Sequence, residues 1–169
     1  IRKNWLMDLY RSIGPCANIA YLKTDPVGII QFTPLHVIPY FKTSRKDALY
    51  IHCIYVQEKH RKRGIGSALL EAIISEMSRP NRMFDRTPCK IIVISARRVH
   101  GYAKVGLFKY KGFRRIKGNP DVGLVLPLTT SADMRLDVPP SRPKVLRERG
   151  VKIFFKPTCQ YCKRTNERI

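Results

Sequence analysis

The run ALYIHCIYV at residues 48–56 is apolar, β-branched or aromatic at nearly every position. It shows no polar alternation, so both of its faces must be covered, the pattern of a central strand. A block of charge, QEKHRKR, follows it. From Gly64 to Ser78 the chain then places Ile65, Leu69 and Ile73 on one helical stripe, flanked by Leu70, Ile74 and Met77, while Ser67, Glu71, Ser75 and Ser78 take the opposite face. KIIVIS at residues 90–95 is a second fully apolar strand pattern. Strand, helix and strand in that order demand a right-handed crossover and parallel pairing. The expected architecture is α/β, a central mixed sheet flanked by helices.

Other elements fit around this unit. Residues 3–13 carry Trp5, Leu6, Leu9 and Ile13 at helical spacing, and Gly14-Pro15 stops the pattern. Residues 17–23 and 28–33 read as strands, with Thr24-Asp25-Pro26 as the hairpin turn between them. A second helix is expected over about 102–110, stopped at Gly112, with strands near 113–117 and 122–128. Residues 130–149 are rich in proline and lack an apolar period, which is the composition of a linker. The chain thus divides into a domain at 1–129, a linker at 130–149 and a short extension at 150–169.

The 169 residues include 33 Lys and Arg against 12 Asp and Glu, a formal charge of +21 spread along the chain. Such a field favours phosphates, anionic cofactors, nucleic acid or anionic lipid, and disfavours polycationic substrates. No apolar stretch approaches the roughly 20 residues of a membrane span. Cys16, Cys53 and Cys89 are widely scattered and no signal peptide precedes them, which points to a reducing, cytoplasmic compartment. The chain starts at Ile1 within a helical pattern, so an N-terminal element is expected to be missing.

The loop between the strand at 48–56 and the helix carries most of the functional information. Gly64 and Gly66 let backbone approach a ligand closely, and the first-turn N–H groups with the helix dipole form an anion site. Arg61, Lys62 and Arg63 add charge beside it. The alternative is a solvated basic run before an ordinary helix. Walker A would need GxxxxGK[ST], and a dinucleotide fingerprint would need glycine where Leu69 stands. What remains is R-x-x-G-x-G.

These residues resemble the GNAT superfamily of acyl-CoA-dependent N-acyltransferases, whose strand-loop-helix signature is V-x-x-x-x-[QR]-x-x-G-x-[GA]. Val56, Arg61, Gly64 and Gly66 stand at those places. LFKYKGF at 107–113 is similar to the family's LYxKxGF segment. The resemblance covers residues 1–129 and implies a GNAT fold whose first strand and helix are missing from this chain. It implies acetyl-CoA as co-substrate and a primary amine as acceptor. The backbone of Arg61, Lys62, Arg63, Gly64, Ile65, Gly66 and Ser67 would bind the pyrophosphate. Ile54 and Val56 would align the pantetheine arm, with a backbone N–H polarising the thioester carbonyl.

Amine acetylation needs a base for the ammonium proton. His52 and Tyr50 are two apart on the strand, so they share a face. In arylalkylamine-type members that face carries two imidazoles; here one is His52 and the other position is Tyr50. His52 is either that base or a core histidine, Tyr50 either catalytic or packing, and Glu58 a surface carboxylate at the strand's exit. The family's tyrosine that protonates the leaving thiolate falls at Phe108, among the cofactor-binding positions. Tyr110 lies about 200° further around the helix and cannot replace it, which leaves solvent or Tyr102.

At the C-terminus VKIFFKPTCQYC resembles the opening of a glutaredoxin-like domain, with Cys159 as nucleophile and Cys162 as resolving thiol, beside Lys156 and Lys163. Half of a zinc site and incidental surface cysteines are the alternatives; no metal site is otherwise apparent. An extension of this kind is similar to the YoaP-like group of GNAT chains. Two rival functions remain open. One is a basic nucleic-acid- or ribosome-associated protein without a recognised motif. The other is a thiol-redox protein built on Cys159 and Cys162.

Overall fold

The computed structural model describes residues 2–38, 43, 45–94, 105–116, 123–133 and 136. Helix α1 (Arg2–Ile13) leads into the hairpin β1 (Ala17–Leu22) and β2 (Asp25–Pro34). Then come β3 (Ala48–Val56), α2 (Ile65–Met77), β4 (Ile91–Ile94), α3 (Val105–Tyr110), β5 (Arg114–Arg115) and β6 (Leu124–Pro127). The sheet order is β1-β2-β3-β4-β6-β5. β3 and β4 pair parallel and every other pair is antiparallel, so the sheet is mixed as expected.

β3 alternates between two apolar layers. Leu49 and Ile51 join Ile30, Phe32, Ile92, Ile94 and Leu124 under α2 and α3, where Leu69, Leu70, Ile73, Met77, Phe108 and Phe113 complete the main core. Tyr50 faces the other way, with Ala48, Ile91, Val93 and Val125, against Leu35 and Ile38. This two-sided burial is why residues 48–56 show no polar period. Ala132 and Leu136 pack on the second layer, so the chain stays on the sheet just past residue 129.

The hairpin differs from expectation. Asp25 and Pro26 belong to β2, and the turn is Lys23-Thr24, with Lys23 in the left-handed region at φ 55°. Pro26 is tolerated because the pairing jumps from Ala20↔Gly28 to Tyr21↔Pro26, leaving Val27 as an extra residue in a bulge. The Val27 carbonyl accepts the Gln57 N–H at 2.9 Å, and Gln57 Nε2 donates to the Pro26 carbonyl at 2.6 Å. The bulge therefore holds the start of the loop that follows β3.

At the opposite end of β3, Asp47 joins three segments. Its carbonyl accepts the N–H groups of Lys90 and Ile91, and its carboxylate takes Arg45 Nε at 2.6 Å and Lys90 Nζ at 3.6 Å. Arg45 also donates to the Asp133 carbonyl. Partial burial pushes the Asp47 carboxyl up, but the Arg45 hydrogen bond and the charges of Arg45 and Lys90 outweigh it and hold the group below its ordinary value. A carboxyl so depressed adds stability that is present above pH 4 or so and is lost as pH falls through the folded value. In acid titration of the melting temperature, Asp47→Asn should lower the neutral-pH value and flatten the drop below about pH 4; an unchanged acid limb would remove Asp47 from the account.

Candidate functional site

β3 leads directly into the basic loop. A short helical turn at Glu58–His60 ends at Arg61, Lys62 takes φ 61°, and Gly64 caps α2 at φ 78°. No side chain caps α2, and no acid stands in its first turn. The Ala68 N–H reaches the Gly64 carbonyl, whereas the N–H groups from Lys62 through Ser67 donate to no acceptor among the described residues. A run of open amides with left-handed residues inside it is an anion-binding concavity, and the helix dipole adds to its field.

The three cations do different work. Arg61 is turned back on its own strand: Nε donates to the Val56 carbonyl at 3.1 Å, Nη1 lies 3.6 Å from Glu58, and the guanidinium sits 6.0 Å over the Tyr55 ring. It closes the loop. Lys62 and Arg63 are exposed, with Arg63 Nη1 donating to His60 Nδ1 at 3.4 Å. Glu58 is a surface carboxylate, its side chain 89% exposed.

α2 can start this close to the sheet because of Gly28, which the sequence reading passed over. A Cβ there would meet Ile65 Cγ2, Leu69 Cδ1 and the Tyr55 carbonyl, each at 3.2 Å. At Gly66 a Cβ would meet only Leu107 and Val56 side chains at 3.7 Å, ordinary contact. Ile65 and Ser67 are half-buried.

A second bulge lies in β3 itself. Gln31 pairs with Cys53 and Phe32 with Ile51, so His52 is the extra residue. Strict alternation would put Ile54 and Val56 on the face of Tyr50 and His52. The bulge reverses the parity: Ile54 joins the core under α2, and Val56 lies against Gly66. His52 stays with Tyr50, ring centroids 5.0 Å apart and edge-to-face. Its Nε2 is 2.8 Å from Thr33 Oγ1, and both residues are buried.

Phe108 has no exposed surface and packs edge-on against Phe113 at 5.4 Å, so its ring lines no ligand surface in this arrangement and instead fixes α3 to the sheet. Tyr110 is 82% exposed on the outer side of α3. Lys111 ties α3 to α2 through Glu71. Tyr102, Cys159 and Cys162 lie outside the described residues. Burial pushes the Cys16 thiol up to about 11, and burial, against opposing backbone hydrogen bonds, pushes Cys89 to about 12, so neither is a nucleophile at neutral pH. No group of three or more His, Cys, Asp or Glu among the described residues could hold a metal ion, and no described helix is long and apolar enough to cross a membrane.

An open-amide loop between a bulged strand and the next helix, on a sheet with one parallel pair, is matched over residues 3–113 by the model of the acetyltransferase (GNAT) family. The chain belongs to that family. It has the GNAT fold, and it is an acetyl-CoA-dependent N-acyltransferase with acetyl-CoA as co-substrate. An N-acetyltransferase from Staphylococcus aureus Mu50 is similar in structure, with TM-score 0.54 and 17% identity over 75% of each chain. So is the NatC complex bound to Gag peptide and CoA, with TM-score 0.52 and 21% identity over 75% of this chain and 78% of that one. A search of curated protein sequences returns no significant relative.

The two loop glycines of this GNAT enzyme should respond differently to a methyl group. Gly64→Ala forces a Cβ into the left-handed region and should cost about 1 kcal/mol and weaken acetyl-CoA binding. Gly66→Ala should leave stability unchanged or raise it by up to about 1 kcal/mol while retaining binding. Melting curves with and without acetyl-CoA separate the two; equal losses would show that left-handed geometry at Gly64 is not what the loop needs.

Proposed function

We propose that this GNAT enzyme acetylates a primary amine by direct attack on the thioester of acetyl-CoA within a ternary complex, with His52 as the base. The supporting observation is the β3 bulge, which presents His52 and Tyr50 on one face of the strand whose far end opens into the amide loop. The amine nitrogen forms a bond to the acetyl carbon as the carbon–sulfur bond breaks and CoA leaves as its thiolate. The ammonium proton passes to His52, directly or through water. Tyr50 packs beside the imidazole and shapes the acceptor side.

The amides of residues 62–67, with Lys62 and Arg63, hold the pyrophosphate in this reading, and Ile54 and Val56 guide the pantetheine arm. Phe108 cannot protonate the thiolate, so solvent or Tyr102 does so. We assign the chain to the YoaP-like group on its C-terminal KPTCQYC, with Cys159 and Cys162 as a redox pair beyond a linker at 130–149, and to a reducing, cytoplasmic compartment.

Two measurements test the reading. Acetyl-CoA at 100 times its dissociation constant should stabilise the protein by about 2.7 kcal/mol, beyond any shift from inorganic phosphate or ATP; no excess over those anions would sink the pyrophosphate assignment. Thiol release from acetyl-CoA, followed against free peptide N-termini, amino acids and small amines, then identifies the acceptor class. With the fastest of these amines His52→Ala should lower kcat about 10²- to 10⁴-fold with little change in acetyl-CoA affinity. Unchanged turnover would remove His52 from the chemistry.

A further inference from the structure

If His52 is the base, one of its two ring nitrogens must carry a lone pair that the substrate can reach. Nε2 is not that atom, because it lies 2.8 Å from Thr33 Oγ1, and the Thr33 residue is only 1% exposed. No substrate atom reaches Nε2 without displacing a buried hydroxyl on the neighbouring strand. The Nδ1–H tautomer would leave its lone pair on Nε2, against a hydroxyl far too weak an acid to relay a proton at neutral pH. The Nε2–H tautomer leaves the lone pair on Nδ1. Protonation at Nδ1 then keeps the Nε2–H bond to Thr33 in both charge states, so the ring need not turn during the reaction.

We propose that Thr33 is a positioning residue: its hydroxyl accepts a hydrogen bond from His52 Nε2–H, fixing the tautomer whose basic nitrogen is Nδ1. The backbone supports this role. Thr33 pairs with Tyr50, and the bulge places the extra residue, His52, diagonally beside it on the same face. The edge of the Tyr50–His52 ring pair restrains the ring from a second side. The proposal rests on the reading of His52 as the base, and its test separates the two.

Imidazole ¹⁵N spectra of the full-length protein distinguish the tautomers directly, with the His52 signal among the four histidines assigned by its loss in His52→Gln. At a pH where the ring is neutral, the wild type should show the Nε2–H form, Thr33→Val a mixture, and Thr33→Ser the wild-type pattern. With the fastest amine of the panel, Thr33→Val should lower kcat at least about 10-fold, within the range of general-base effects, without raising the KM for acetyl-CoA, and Thr33→Ser should restore it. An Nδ1–H wild-type spectrum, or a Thr33→Val spectrum unchanged from wild type, overturns the proposal even if His52→Ala abolishes turnover. Full turnover in His52→Ala overturns the base reading while the spectra still decide what Thr33 does. The wild-type spectrum carries the tautomer by itself, so the test does not depend on Thr33→Val folding.

Discussion

Parallel pairing of β3 with β4 is the constraint from which the site follows. Two parallel neighbours cannot be joined by a tight turn, so the chain must cross over the sheet, and here it does so through α2. The crossover puts the N-terminus of α2 beside the end of β3, where a helix start and a strand end meet over open space. The amide loop and the bulged His52 are thus two parts of one strand-loop-helix unit. Gly28 completes it from the neighbouring strand, since any larger residue would push the first turn of α2 away from the sheet.

Much of this unit was legible from local pattern. The strand at 48–56 has the boundaries its composition implied, α2 lies within one residue of its expected ends, and the glycines sit in the loop as their spacing suggested. What local pattern could not show is anything decided between strands. A bulge is a mismatch of two registers, and neither QFT on β2 nor IHC on β3 announces it. Its consequence, Ile54 and Val56 turning under α2, runs against the simple alternation that correctly paired Tyr50 with His52. Thr33 is 19 residues from His52 and read as an ordinary strand residue. The hairpin turn was misplaced because proline was taken as a turn residue, whereas the Val27 bulge lets Pro26 sit inside a strand.

Charge was legible as a total, and the structure shows how it is distributed. Asp47, Glu58 and Glu71 each face a lysine or arginine within the fold. These pairs bring down few of the cations, but they remove carboxylates from the field around the loop. Arg61 is partly consumed in the same way, turned back to Val56 and Glu58, so the exposed charge at the mouth of the loop comes from Lys62 and Arg63. An excess of base over the whole chain is therefore not the source of specificity. The oriented amides are, because they fix where an anion sits and the side chains only raise its local concentration.

The loop is also built at some cost to the free protein. A helix start without a capping side chain forgoes about 1 kcal/mol, and a lysine in the left-handed region costs about 1–2 kcal/mol more. Neither expense helps the fold, since Ser or Asp at the cap and Gly at position 62 would relieve both. A capping carboxylate would, however, occupy the same N–H groups that a pyrophosphate needs and would repel it. A glycine at 62 would remove a cation from the rim and loosen the backbone that holds the amides in one direction. The absence of a cap on α2 and the strained Lys62 thus have a common explanation: the first turn of α2 is left unsatisfied by the protein so that an anionic ligand can satisfy it.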